Sequence, residues 1–176
     1  MKKIILYIAA SIDGRIAEPD GGIEWLSEFP ITEEMNYGYK EFMASIDCIL
    51  MGGRSWRELS NMDAMGAYAD KAVYVVSRHD WGEKGNMKFI TENVTERIAA
   101  LCNEQGKNIW LFGGGKLVSM LLAADLVDEM QIAYIPVILG KGITLFPEQP
   151  KESKWELTNS KNYSSGIVMV EYQKKK

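Results

Sequence analysis

Apolar positions in this chain fall into short runs separated by glycines and polar turns. The first run, residues 3–10, is continuous, which is typical of a strand buried on both faces. Runs that end in the same kind of turn predict further strands at 48–51, 72–77, 87–91, 108–112 and 128–137. Two final runs, 154–159 and 167–173, lie on either side of Ser164-Ser165-Gly166 and predict an antiparallel hairpin.

Between these runs, apolar residues recur with helical spacing. The segments that predict helices are 32–45, 55–60, 94–105 and 117–124. Thr32 suits the N-cap of the first helix, with Glu33 and Glu34 in its first turn. Alternation of strands and helices predicts an α/β fold with a mostly parallel central sheet, helices on both faces and the hairpin at one edge. No linker or repeat divides residues 1–176, so we expect one domain.

Composition narrows the class of protein. The chain is 47% apolar and 25% charged, as expected of a soluble globular domain. Its net charge of −4 argues against nucleic acid or an anionic membrane as the main partner. No apolar run approaches the roughly 20 residues that span a bilayer. Cys48 and Cys102 lack motif spacing and predict reduced thiols in a cytoplasmic protein, and one histidine makes a metal site improbable.

The sequence Gly113-Gly114-Gly115-Lys116-Leu117 joins a predicted strand directly to a predicted helix. Glycines at such a turn let the backbone approach a ligand closely, and the N–H groups that open the helix attract an anion. The spacing differs from the G-x-G-x-x-G dinucleotide pattern. Two interpretations therefore stay open, a phosphate-bearing nucleotide site and a tight strand-to-helix turn.

Two other predicted strands end in similar residues, Gly52-Gly53-Arg54-Ser55 and Ser77-Arg78. Ligands of open α/β sheets bind outside the carboxyl ends of the strands. Arginine binds phosphate in bidentate fashion, and a basic residue directly after a strand suits a ribose 2′-phosphate, which favours NADP over NAD. The alternative for each arginine is a surface ion pair.

Taken in order, these motifs resemble those of a known family. Ala9-Ala10-Ser11-Ile12-Asp13-Gly14-Arg15-Ile16-Ala17 looks like the opening of the reductase domain of riboflavin biosynthesis and of its dihydrofolate reductase relatives. The later blocks that follow in the family's order are Trp25-Leu26, 49–56, 75–78, 112–117, 126–129 and 135–146. The closest similarity is to short stand-alone members, since the chain has no zinc deaminase pattern.

The resemblance implies a dihydrofolate reductase-like fold, a homodimer and hydride transfer from NADPH to an activated C=N or carbonyl group. The residues that it implies for the phosphates and adenosine are Gly52, Arg54, Ser55, Ser77, Arg78, Gly113, Gly114, Gly115, Lys116 and Leu117. The nicotinamide would lie near Ala10, Gly14 and Ile16, with Asp13 and Trp25 on the substrate side. One departure is that Gly53 separates Arg54 from the glycine it usually follows.

The position of the substrate-binding carboxylate on the first predicted helix stays open. Dihydrofolate reductases carry a substrate-binding carboxylate on the first long helix, and Glu34 is the candidate here, although Asn36 could occupy the equivalent turn. The alternative is that Glu33 and Glu34 only favour the helix N-terminus. Tyr37 could line the pocket or pack the helix. Asp13 and Glu34 are thus the predicted catalytic residues.

These expectations favour an NADPH-dependent reductase acting on a pterin or a ribosylaminopyrimidine. The first alternative is a cofactor-binding module or redox sensor with little turnover, because the carboxylate is uncertain and the arginine is displaced. The second is a scaffold that binds no cofactor.

Overall fold

The computed structural model describes residues 1–147 and 152–175. Within them, eight strands form one sheet in the order β5-β4-β3-β6-β1-β7-β10-β9. Their bounds are β1 Ile4–Ser11, β3 Ile46–Gly52, β4 Ala72–Val76, β5 Met87–Ile90, β6 Asn108–Gly113, β7 Glu129–Ile135, β9 Trp155–Asn162 and β10 Val168–Lys174. The first six strands of this order run parallel to one another, and β10 pairs antiparallel with β7 and β9. The predicted parallel sheet and C-terminal hairpin are confirmed.

A second, two-stranded sheet lies at the end of β1. It pairs β2, Arg15–Ala17, with β8, Ile143–Thr144. A Cβ at Gly142 would overlap the carbonyl oxygen of Ala17, so only glycine allows the two segments to approach this closely. The small sheet fixes the turn after β1 against the segment after β7.

Helices cover both faces of the large sheet. The four α-helices of the described chain are α1 Tyr39–Ser45, α2 Gly53–Asn61, α3 Val94–Cys102 and α4 Gly115–Ala123. Alternate residues of β1 point to opposite faces: Ile4 and Leu6 pack in the cluster that contains residues of α3 and α4, whereas Ile5 packs in the cluster that contains Phe42 of α1 and Trp56 of α2. A strand buried on both faces needs the continuous apolar run that the sequence shows.

The predicted helix at 32–45 is wrong in its first half. Residues 32–38 form turns, and α1 begins only at Tyr39. Thr32 accepts a hydrogen bond from the Met35 N–H at 3.0 Å in a local turn rather than capping a helix. Tyr37 and Gly38 then have φ values of 54° and 76°, which a right-handed helix does not allow. Glu33 and Glu34 are therefore exposed turn residues and not the first turn of a helix.

Candidate active site

Three loops of glycine and polar residues lie side by side at the carboxyl ends of the parallel strands, which form one edge of the sheet. This follows from the strand order, because β3 pairs with both β4 and β6. Met51 pairs with Gly113, and Gly52 pairs with Val76, which precedes Ser77. A Cβ at Gly53 would lie 3.4 Å from Cβ and Oγ of Ser77. The loops after β3, β4 and β6 thus form one continuous surface.

Two helix N-termini open onto this surface. Helix α2 has Gly52 as its N-cap and α4 has Gly114, so neither cap residue has a side chain that could bond the first N–H groups. Neither first turn contains an acidic residue. Each contains a cation instead, Arg54 in α2 and Lys116 in α4, where the helix dipole disfavours positive charge. Together, helix N-termini without a side-chain cap and cations in their first turns indicate an anion site.

In the β6–α4 loop, Gly115 is required by a close contact and Gly113 by its backbone conformation. A Cβ at Gly115 would lie 2.7 Å from the carbonyl oxygen of Thr144 and 3.2 Å from Cδ of Pro147. Gly113 has a φ of 116° and precedes a cis peptide bond to Gly114. On the facing loop, Ser55 Oγ would be 3.8 Å from a Cβ at Gly114. The loop therefore presents backbone, with one hydroxyl group close beside it.

The two predicted arginines lie in different surroundings. Arg54 is exposed, and its Nη2 would be 2.8 Å from a Cβ at Gly21, so its guanidinium lies against the loop after β2. Gly21 has a φ of 93° and leaves room for this contact. Arg78 is also exposed and follows Ser77, whose Oγ accepts the His79 N–H at 3.2 Å. Both residues directly follow, or lie within two residues of, strand ends that are neighbours in the sheet.

Two of the predicted cofactor residues have side chains in the core. Leu117 in α4 is only 4% exposed and packs in the core between the helix and the sheet. Ala10, near the end of β1, is fully buried in the same core cluster. At both positions the backbone groups, rather than the side chains, are left to meet a ligand.

Asp13 is held as a carboxylate by its neighbours. Ser11 Oγ donates to Oδ1 at 2.6 Å, and the N–H groups of Leu139 and Gly140 donate to Oδ1 and Oδ2 at 3.1 and 2.8 Å. The bond from Ser11, followed by those from the backbone, lowers the pKa of Asp13 to about 2. Such a group is charged at neutral pH and is a poor proton donor. Its three hydrogen bonds hold the β1–β2 turn in position.

That turn carries two other predicted site residues. Gly14 has a φ of 75°, and its carbonyl oxygen accepts the Leu145 N–H at 2.9 Å. Ile16 lies in β2 and is half-buried against the core. Sequence reasoning missed Ser11, which is fully buried and also accepts the Arg15 N–H at 2.9 Å. The signal was available, since a Ser-x-Asp-Gly segment after a strand is typical of a side-chain-bonded turn.

Trp25 and Tyr37 come together in one apolar cluster with Ile135 and Ile167. Tyr37 is 8% exposed, its hydroxyl donates to Ser165 Oγ at 3.2 Å, and its ring lies 4.8 Å from that of Tyr163. Tyr37 packs in this cluster and also lines a groove between α1 and the β9–β10 hairpin, so both interpretations of this residue stay open. Trp25 Nε1 is buried and has no hydrogen-bond partner within the described residues. Trp25 thus keeps an unused donor beside the end of β1.

Glu34 lies apart from the three loops. It is exposed and lines a groove of about 770 Å³ between α1 and the β9–β10 hairpin, together with Glu41, Gln131, Lys161 and Glu171. No residue of the loops after β3, β4 and β6 lines this groove. The structure does not bring the two predicted catalytic residues, Asp13 and Glu34, into one constellation.

Other kinds of site find no support in the described part of the chain. Residues 1–147 and 152–175 contain no group of three or more His, Cys, Asp or Glu side chains arranged to hold a metal ion. None of the helices in those ranges is long and apolar enough to cross a membrane.

The hydrogen bonds of Asp13 predict a pH-dependent loss of stability. Because its pKa falls from 3.8 to about 2 on folding, the ionised carboxylate stabilises the fold above about pH 4, and this contribution is lost as the pH falls towards 2. We expect Asp13→Asn to lower the free energy of unfolding at pH 6 and to approach the wild-type value near pH 2. Urea unfolding at both pH values measures this, with Glu28→Gln as an exposed control. An equal deficit at both pH values would contradict the assignment.

Comparison with known proteins agrees with this architecture. A family model described as the RibD C-terminal domain matches residues 2–169. YwjB of Bacillus subtilis strain 168, an uncharacterized protein, is 36% identical over 169 residues, which cover 96% of each chain. A crystal structure of a putative riboflavin biosynthesis protein from Shewanella sp. PV-4 superposes with a TM-score of 0.87, at 28% identity and 99% coverage of both chains.

Dihydrofolate reductase from Enterococcus faecalis, in a complex with NADP(H) and RAB-propyl, shares the fold. Its TM-score is 0.68 at 17% identity, with 99% of this chain and 97% of that one covered. Family and fold together point to a reductase-like enzyme. Since the family model spans most of the sequence, the chain belongs to the RibD C-terminal domain family.

Proposed function

We propose that this protein is an NADPH-dependent reductase that transfers hydride to a pterin or to a ribosylaminopyrimidine. The observation that carries the proposal is the pair of helix N-termini, each with a cation in its first turn, beside Ser77-Arg78. Membership of a family of riboflavin-type reductase domains and the fold shared with a dihydrofolate reductase that binds NADP(H) support it.

The cofactor would lie across the carboxyl edge of the sheet. First-turn N–H groups of α2 and α4, together with Ser55, would bind the pyrophosphate, and Arg54 and Lys116 would balance its charge. Ser77 and Arg78 would hold the ribose 2′-phosphate. From β4 to β1 the sheet order gives three strand spacings, about 14 Å, which suits an extended dinucleotide.

At the other end, the β1–β2 turn would receive the nicotinamide. The cofactor supplies the hydride when bound. The backbone of Ala10 and Gly14 and the side chain of Ile16 would shape the surface on which the ring lies. Asp13 would act as a positioning residue, because its three hydrogen bonds tie this turn to Leu139 and Gly140. Trp25, whose Nε1–H has no partner among residues 1–147 and 152–175, would face the substrate.

Arg78 gives the proposal a test in binding alone. We expect Arg78→Ala to weaken NADPH binding about 10- to 100-fold and NADH binding less than threefold, since hydrogen bonds to charged groups contribute about 1.5–3 kcal/mol. Isothermal titration calorimetry measures both. Arg57→Ala, an exposed arginine of α2, is the control and should leave both affinities unchanged. Wild-type protein that binds neither nucleotide would refute the proposed function.

Turnover separates the reductase from the second candidate, a cofactor-binding sensor. The observation that favours the sensor is the exposed position of Glu34, away from the three loops. If the protein is a reductase, it should oxidise NADPH when dihydrofolate or the ribosylaminopyrimidine is added. The fall in NADPH absorbance measures this turnover. If Glu34 anchors the pterin, Glu34→Gln lowers that turnover at least tenfold and Glu33→Gln does not. NADPH binding without turnover on either substrate would favour the sensor.

A further inference from the structure

We propose that Trp81, supported by His79, is the surface on which the adenine base of the cofactor stacks. This inference rests on the proposed function and adds a binding residue beyond Ser77-Arg78. Trp81 is the one exposed Phe, Tyr or Trp side chain in the described chain, at 51% exposure. Tryptophan is highly buried on average in folded proteins, so a half-exposed indole next to the loop that carries Ser77-Arg78 is a feature to explain.

The ring of Trp81 is supported from below by other aromatic rings. Its centroid lies 6.3 Å from that of Trp56, in the first half of α2, and 6.2 Å from that of His79. Trp56 in turn packs edge-on against Phe89 of β5 at 5.0 Å, and Lys84 Nζ lies 5.7 Å from its centroid. One side of Trp81 is thus backed by the core, and the remaining surface is open to solvent.

The loop that carries Trp81 is held by its own hydrogen bonds. Ser77 Oγ accepts the His79 N–H at 3.2 Å, and Asp80 Oδ1 accepts the Gly82 N–H at 2.8 Å. Lys84 and Met87 exchange two backbone hydrogen bonds of 3.2 and 3.0 Å. The loop is therefore organised before any ligand arrives, which lowers the entropy lost on binding.

Position along the sheet identifies the part of the cofactor that would reach Trp81. The loop leaves β4 and returns to β5, the edge strand, three to four strand spacings or about 14–19 Å from β1. A dinucleotide with its nicotinamide at β1 and its pyrophosphate at α2 and α4 extends its adenosine in this direction. Arg78 and His79 lie between the pyrophosphate site and Trp81 in sequence, on the side where a 2′-phosphate would be held. A flat aromatic base beyond that phosphate matches the exposed indole.

Fragments of the cofactor test the inference by binding and without turnover. We expect Trp81→Ala to weaken NADPH and adenosine 2′,5′-bisphosphate about 5- to 100-fold, the range known for loss of base–aromatic stacking. Reduced nicotinamide mononucleotide, which lacks the adenosine, should bind Trp81→Ala as it binds the wild type. Trp81→Phe should restore most of the affinity, since a phenyl ring still stacks.

Leu157→Ala is the matched control, because Leu157 is 52% exposed on β9, at the opposite edge of the sheet. It should leave all three affinities unchanged. Unchanged affinity of Trp81→Ala for both adenosine ligands, in protein that binds NADPH, would overturn this inference and leave the proposed function standing. Wild-type protein that binds no NADPH would overturn both. Equal weakening of all three ligands would show a general effect on the fold and would also overturn the inference.

Discussion

The pairing of β3 with β4 on one side and β6 on the other is the constraint on which the candidate site depends. Parallel strands end at the same edge of a sheet, so this order places the loops after β3, β4 and β6 next to one another. Two of those strands lead straight into helices, whose N-termini face the same edge. Burial of the strands on both faces makes the order hard to change, since each residue that leaves its register exposes an apolar side chain.

Several features of that edge contribute little to stability, and the proposed cofactor would explain them. Arg54 and Lys116 lie where the helix dipole repels cations, and the glycine caps of α2 and α4 offer no side chain to the first N–H groups. Trp81 leaves half of its surface in water. A bound anion with an aromatic base attached would compensate all three. This concentration of locally unfavourable residues is expected at a functional site.

Most of the fold could be predicted from the sequence because its strongest signals are local. Continuous apolar runs identified the parallel strands, and glycines marked their ends. The failures have physical causes that lie beyond local pattern. Helix α1 begins late because Thr32 bonds within a turn and Gly38 takes a positive φ. Two of the three bonds that hold Asp13 come from Leu139 and Gly140, more than a hundred residues away, so no local spacing could reveal them.

In the proposed function, two helix N-termini and the loop after β4 bind the phosphates of NADPH. An NMR titration of ¹⁵N-labelled protein with NADPH tests it most directly, because backbone amide shifts report which N–H groups meet the ligand. We predict the largest shifts at the amides of Gly53, Arg54 and Ser55, of Gly115 and Lys116, and of Arg78. Shifts centred instead on the groove lined by Glu41, Gln131 and Lys161, with these amides unmoved, would contradict it.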